Sequence, residues 1–351
     1  MTKKSTLVAE VCHLSILENG QEVTTQLEKL SKVQTIILQI EQPMSILKAC
    51  ISRFKYLRVL DLGNSSFEVL PNSIRSLKHL RYLDLSENGR IKQLLDSICK
   101  LHNLQTLLLG NCSNLEQLPN GIRDIIRLRY LVVTTKHTCL SEKAVVCLDS
   151  LRYLFIVGCE NLKCLFEGME GCLTNLRTLA IAKCPRLTFL SLSIKHLTAL
   201  ETLMIVDCKE LSLMEMEMEG EDNQDLKLSL QKLMIKGLPK LKVLPQWLQG
   251  SANTLQRLVI GECENLKALP EWLPRLKSLH TLGIGECPKL SSLPEGMEAL
   301  TALRQLGIKG CPDLSRKCRE EDSHKIAHVP HIDLEGTRFT IEKKMVSAST
   351  S

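Results

Sequence analysis

The stretch LQTLLLGNCSNLEQLPNGIRDIIR, residues 104–127, decides the fold. Its opening six residues read L-x-x-L-x-[LIV], and that core returns at Leu57, Leu80, Leu104, Leu128, Leu151, Leu176, Leu200, Leu230, Leu255, Leu279 and Leu303. The steps between starts are 23, 24, 24, 23, 25, 24, 30, 25, 24 and 24 residues. Two degenerate copies precede them at Val11 (VCHLSI) and Val33 (VQTIIL). A helix would place apolar residues at i, i+3, i+4 and i+7 over ten or more residues; here the spacing is three then two, with polar residues between, which predicts a short strand. Within this stretch Leu104, Leu107 and Leu109 are expected to point inward, and Gln105, Thr106 and Leu108 outward. Gly110 and Asn111 turn the chain, and Leu115, Leu118, Ile122 and Ile125 complete the inner wall on the return. A Leu-Pro step recurs at Leu70-Pro71, Leu118-Pro119, Leu244-Pro245, Leu269-Pro270 and Leu293-Pro294. Proline disfavours helix at the residue before it, so the return is expected to be extended or 3₁₀ with at most short helices.

Period and core resemble the leucine-rich repeat, in which each unit is one short strand plus a loose return. No unit buries its apolar edge alone, so the resemblance implies stacking into an α/β right-handed solenoid, an open horseshoe with a parallel sheet on the concave side. About 13 repeats are expected over residues 11–314, after a tail at 1–10 and before a C-terminal cap and flexible tail at 315–351. A loop insertion falls near 214–227, where MEMEMEGEDNQD stretches one unit to 30 residues; it reads as a solvated loop, since the calcium pattern D-x-[DN]-x-[DN]-G is absent.

Seven cysteines, Cys112, Cys159, Cys184, Cys208, Cys263, Cys287 and Cys311, stand eight residues after a repeat's first leucine, and Asn19 and Asn88 hold the same place. In leucine-rich repeats that position faces inward and hydrogen-bonds adjacent turns. A thiol there acts as a small buried hydrophobe with a weak donor. The C-terminal set Cys311, Cys318, His324 and His328, with His331 close behind, lacks the tight C-x2–4-C knuckle of a zinc module. An end cap over the last repeat is the better reading.

The place after the first leucine holds Arg58, Arg81, Arg129, Arg152, Arg177 and Arg304, with Tyr82, Tyr130, Tyr153 and Phe155 beside or near them. Strands about 4.8 Å apart would align these side chains in columns. Arginine and tyrosine anchor protein interfaces, so Arg58, Arg81, Tyr82, Arg129, Tyr130, Arg152, Tyr153, Phe155 and Arg177 are candidates for a protein-binding surface. The competing reading is a solubilising ladder whose arginines pair with Asp61, Asp84 and similar neighbours.

The sequence carries no phosphate loop, H-E-x-x-H, G-x-S-x-G or post-strand G-x-G-x-x-G. His13, His79, His102, His137, His196 and His280 are scattered among repeats without a matched partner. The reading is therefore not an enzyme, with no cofactor and no metal. A net charge of +6 with 3% aromatics lacks the basic face and aromatic platforms of a nucleic-acid binder. Neither a signal-peptide run nor a stretch of about 20 apolar residues is present. The expected setting is intracellular, most simply cytoplasmic, where a reducing medium argues against a disulfide framework for the fifteen cysteines.

Three segments carry a closer resemblance. EVCHLSI at residues 10–16 is similar to the strand opening the repeat region of plant intracellular nucleotide-binding leucine-rich-repeat immune receptors of the coiled-coil class. FKYLRVLDLGNSSFEVLPNSIRSLKHLRYLDLS, residues 54–86, resembles their early repeats. CPDLSRKC (311–318) with HKIAHVPHIDLEG (324–336) resembles their closing segment. The resemblance implies a disease-resistance arm that recognises a pathogen effector or a host protein guarded against it, and that restrains a nucleotide-binding switch, in cis or in trans. Met1 lies just before the first repeat, so ADP or ATP binding carries over to no residue here; the sequence reads as a truncated receptor, an isolated domain or a stand-alone relative. The rival is a general leucine-rich-repeat adaptor or scaffold without an immune role.

Overall fold

The computed structural model describes residues 11–16, 27–38, 43–140, 148–165, 173–190, 197–213 and 228–339. The Met/Glu-rich stretch, Asn19 and His196 lie outside them. The chain divides into two compact units, residues 1–185 and 186–351.

In the first unit the repeat cores form β1 (His13–Ile16), β2 (Thr35–Leu38), β3 (Val59–Asp61), β4 (Tyr82–Asp84), β5 (Thr106–Leu109), β6 (Tyr130–Val133), then, beyond the two-residue β7 (Cys139–Leu140), β8 (Tyr153–Val157) and, beyond β9 (Cys164–Leu165), β10 (Thr178–Ala182). β1 to β6, β8 and β10 lie in one sheet in that order, each pair parallel. β7 and β9 pair with each other on the return side. In the second unit the short β11 (Phe189–Leu190) precedes β12 (Thr202–Val206), β13 (Lys232–Lys236), β14 (Arg257–Gly261), β15 (Thr281–Gly285), β16 (Gln305–Lys309) and β17 (His331–Leu334), the last six parallel in order. β18 (Thr337–Phe339) closes antiparallel on β17.

Most strands alternate, while β10 buries Leu179, Ala180 and Ile181 in succession. In β5, Leu107 and Leu109 are fully buried while Thr106 and Leu108 are half-exposed. The first leucines of the repeats are buried from Leu57 to Leu303, so the three-then-two spacing is a core spacing. Returns are built as the Leu-Pro steps foretell: 3₁₀ turns at Asn72–Ser76 and Gln246–Ser251 follow Pro71 and Pro245. The longest helix among the described residues, Met44–Arg53, buries Ile46, Leu47, Cys50 and Ile51.

Seven residues into the repeats the backbone turns left-handed: Asn64, Glu87, Asn111, Gly158, Lys183, Asp207, Gly237, Glu262, Glu286 and Gly310 all have positive φ. Since Lys183 and Glu262 adopt it, the turn alone does not demand glycine. At Gly237 a Cβ would crowd Asp207, meeting its carboxylate and standing 3.1 Å from its backbone nitrogen. The repeat starting at Leu128 breaks the pattern. Buried Thr135 takes over, its hydroxyl donating to the Leu115 carbonyl at 2.9 Å, and the chain leaves toward β7.

The end of the second unit is a helix, Pro312–Arg319, a short turn of helix, Ser323–Ile326, and the β17–β18 hairpin. Leu314, Cys318, Ile326, Val329, Ile332 and Leu334 are buried there. Glu335, in a left-handed conformation, accepts the Gly310 and Cys311 N–H groups at 2.9 and 3.1 Å and the Ser315 hydroxyl at 2.7 Å.

Candidate functional site

The site is built from the sheet face of the first unit. Register aligns Val59, Tyr82, Thr106, Tyr130, Tyr153 and Thr178 as one column, and Asp61, Asp84, Leu108, Val132, Phe155 and Ala180 as the next. Each member stands beside the residue in the same place one repeat away, which is why residues about two dozen apart in sequence become neighbours. The second column passes from acid to apolar: Asp61 and Asp84 first, then Leu108, Val132 and Phe155.

Tyr130 is the hub of the aromatic cluster. Its ring centroid lies 5.1 Å from that of Phe155, stacked, and 5.7 Å from that of Tyr153 at 35°. Both separations fall in the favourable range for aromatic pairs. Tyr153 remains 39% exposed, enough apolar ring for a partner to cover. Tyr82 is separate from this cluster: its hydroxyl donates to Asp84 at 3.1 Å. Burial, with the Asp84 carboxylate second, pushes its phenol up to about 12.

The arginines form a third column at the entry to the strands. A continuous backbone ladder links them: Arg81 N–H to the Arg58 carbonyl, Gln105 to Arg81, Arg129 to Gln105, Arg152 to Arg129 and Arg177 to Arg152, at 2.8–2.9 Å. Gln105 divides the column into Arg58–Arg81 and the three consecutive arginines 129, 152 and 177. All are exposed. Asp61 and Asp84, the anions expected to pair with them, are turned to their own strand ends, where they accept the Gly63 N–H at 2.9 Å and the Ser86 N–H at 2.8 Å. Among the described residues no ion pair joins Arg58, Arg81, Arg129 or Arg152 to a carboxylate; the described pair of this region is Lys100–Asp124 at 3.5 Å. Leu108 and Val132, not proposed as site residues from the sequence, stand in line with Phe155 in the second column; the signal for them is their place two residues after each tyrosine-column position.

The structure places Asn88, Cys112, Cys159, Cys184, Cys208, Cys263, Cys287 and Cys311 fully inside. Asn88 donates to the Leu62 and Leu85 carbonyls at 2.8 Å, and Cys112 reaches back one repeat to the Leu85 carbonyl at 3.1 Å. Cys263, Cys287 and Cys311 instead donate within their own repeat, to Gly261, Gly285 and Lys309 at 3.2–3.5 Å, while the Cys287 N–H donates across to the Cys311 sulfur. The periodicity left two members unnoticed: Ser65, whose hydroxyl donates to the Leu38 carbonyl at 3.3 Å, and Leu238, wholly apolar. Burial pushes the Cys112 thiol up to about 11, and Cys50, Cys99 and Cys318 up to about 12. The C-terminal sulfurs and imidazoles do not converge. His324 Nδ1 meets the Glu321 carbonyl and His328 Nε2 the Leu300 carbonyl, and no His, Cys, Asp and Glu cluster among the described residues is arranged for a metal. One expectation is corrected. Cys139 and Cys164 are disulfide-bonded, because β7 and β9 bring them opposite each other outside the ladder.

The leucine-rich repeat region family matches residues 32–266, and the chain belongs to that family. Shorter stretches are similar to plant proteins named for disease resistance, in line with the resemblance read from the sequence. One in Arabidopsis thaliana is 41% identical over 81 residues, 23% of this chain and 6% of that protein. A second from the same plant is 38% identical over 100 residues, 28% of this chain and 13% of its own length. RGA1 of Solanum bulbocastanum is 57% identical over 42 residues, 12% and 4% respectively. The matches thus span a small fraction of those proteins. Among solved structures, the leucine-rich repeat domain of the type III effector XopL aligns with a TM-score of 0.52 at 25% identity, covering 64% of this chain and 74% of that one. The internalin InlF of Listeria monocytogenes aligns at 0.54 and 16% identity, covering 80% and 81%, which shows the fold alone. No helix of the described residues is long and apolar enough to cross a membrane.

Proposed function

We propose that this chain is the non-catalytic, protein-recognition arm of a plant intracellular immune receptor, meeting a pathogen effector or guarded host protein and holding a nucleotide-binding switch inactive. The observation that carries it is the run Arg129, Arg152 and Arg177 beside the Tyr130–Tyr153–Phe155 cluster, with Arg129 and Arg152 joined to no carboxylate among the described residues. Like charges one strand apart repel, and an acidic partner would relieve that repulsion. The rings would supply the buried area, and the cations the orientation and speed of docking. Residues 53–152 carry 15 Lys or Arg against 9 Asp or Glu, so the early repeats suit an acidic protein surface, which in an intact receptor belongs to the switch. The similarity to disease resistance proteins supports the immune setting over a general adaptor.

The test is the double variant Arg129→Glu with Tyr153→Ala, co-expressed with a switch domain of a related receptor. Loss of association by tenfold or more, or release of signalling, is expected at unchanged thermal stability. Unchanged binding and signalling would return these residues to the role of a solvated face.

A further inference from the structure

Cys139 and Cys164 hold matching places on β7 and β9, with Leu140 opposite Leu165 in the same parallel register. Their Cα atoms are 4.9 Å apart, within the span a disulfide bridges without backbone movement. Alternation turns Leu140 and Leu165 into the core, where both are buried, and leaves the two cysteines half-exposed. The pairing does not depend on the sulfur bond: Lys163 N–H donates to the Thr138 carbonyl at 2.7 Å, and the leucines anchor both strands. Reduced, the two thiols therefore remain neighbours.

Among the other described cysteines only Cys12 is not buried. The ladder thiols are fully buried and donate to main-chain carbonyls. A fully buried sulfur is neither an accessible nucleophile nor an exchange partner.

The geometry points to Cys139 and Cys164 as a reversible thiol–disulfide site that clips two neighbouring repeats, oxidised and reduced by exchange with a small-molecule couple of the glutathione class. In the oxidising direction one cysteine, as thiolate, attacks a sulfur of the small disulfide and expels one small thiolate, giving a mixed disulfide. The second cysteine attacks the protein sulfur of that bond and expels the other small thiolate. Two protein thiols become one disulfide, one small disulfide becomes two small thiols, and two electrons pass from protein to couple while the two cysteine protons end on the departing thiols. The clip closes a loop of sequence separation 25. It thereby restricts the unfolded chain and fixes the spacing of the two repeats that carry Tyr130, Tyr153 and Phe155.

The full chain, purified reduced, is equilibrated in buffers of graded reduced-to-oxidised glutathione ratio, quenched with maleimide after denaturation and mapped by peptide mass. Cys139 and Cys164 are expected to lose label together as one two-electron step, while Cys112, Cys159, Cys184, Cys263, Cys287 and Cys311 stay labelled. The oxidised protein should melt about 5–10 °C above the reduced one, and Cys139→Ser should abolish that rise. Persistent labelling of both cysteines at the most oxidising ratio, or a bond from either to Cys147 or Cys172, overturns the site. So does an identical melting point for the two states of the wild-type chain. The labelling map needs no variant, so misfolding of Cys139→Ser leaves the test intact.

Discussion

Leu107 and Leu108 are adjacent residues of β5 with opposite fates. The first is fully buried and the second half-exposed on the sheet face. Leu107→Asp would place a carboxylate among stacked leucines with no partner and is expected to cost more than about 4 kcal/mol. Leu108→Asp should cost on the order of 1 kcal/mol or less, chiefly through lost strand propensity. Chemical denaturation of the two variants checks this, and equal effects would contradict the register. The ladder sulfurs make a smaller contribution each. Cys263→Ala removes a buried sulfur and its donation to the Gly261 carbonyl, for an expected loss of about 1–2 kcal/mol. A variant as stable as the parent would mean that the slot needs only to be filled, as Leu238 fills it in its own repeat.

Among elements, the C-terminal cap has the most distinctive electrostatics. Lys325 is nearly buried, with Asp322 and Glu295 each 2.8 Å from its ammonium and the Leu293 carbonyl at 3.2 Å. Its partners raise its pKa above the ordinary lysine value, Asp322 contributing most and Glu295 next. A raised lysine contributes stability that is fully present below the unfolded-state pKa and lost as pH climbs through the folded one. Cap unfolding should therefore move to lower temperature in strongly alkaline solution, and Lys325→Met should remove that dependence while costing about 2 kcal/mol or more at pH 7. Glu335 works in the opposite sense. The Gly310 N–H, first, and the Ser315 hydroxyl, next, hold its carboxyl below the usual carboxylate value. Its contribution is present above the unfolded-state pKa and lost as pH falls through the folded one. Glu335→Gln should lower the melting temperature at neutral pH, and the difference from wild type should close below about pH 4. Hydrogen exchange at the Gly310 and Cys311 amides would report it directly. A constant difference at every pH would show that Glu335 acts through packing rather than charge.

At the scale of the whole molecule the charge is +6, a modest value whose effect depends on where it lies. The arginine column concentrates part of it on one edge of the first unit, with the carboxylates of Asp61 and Asp84 occupied by backbone N–H groups. Association with an acidic partner should then slow steeply with salt, the association rate falling tenfold or more between about 50 and 500 mM salt while the dissociation rate changes little. A salt-independent association rate would assign the docking to the aromatic rings alone.

The repeat itself, the strand in each unit, the inward leucines and the 3₁₀ returns were legible in residues 104–127 and their copies, because a solenoid repeats one local rule and each unit meets only its neighbours. The arginine and tyrosine columns were legible for the same reason: a fixed period becomes a fixed register. Tertiary structure decided what the period leaves open. It turned Asp61 and Asp84 toward the backbone and away from the arginines, a choice of side-chain direction at equal sequence spacing. It set Leu108 and Val132 in line with Phe155 through lateral pairing. It let Thr135 replace the left-handed turn in the repeat that begins at Leu128. It also brought Cys139 onto Cys164, two cysteines outside the ladder that only the pairing of β7 with β9 makes neighbours. Sequence sets what each repeat buries; which exposed groups face one another depends on how the return segments pack, and that is a property of the stack.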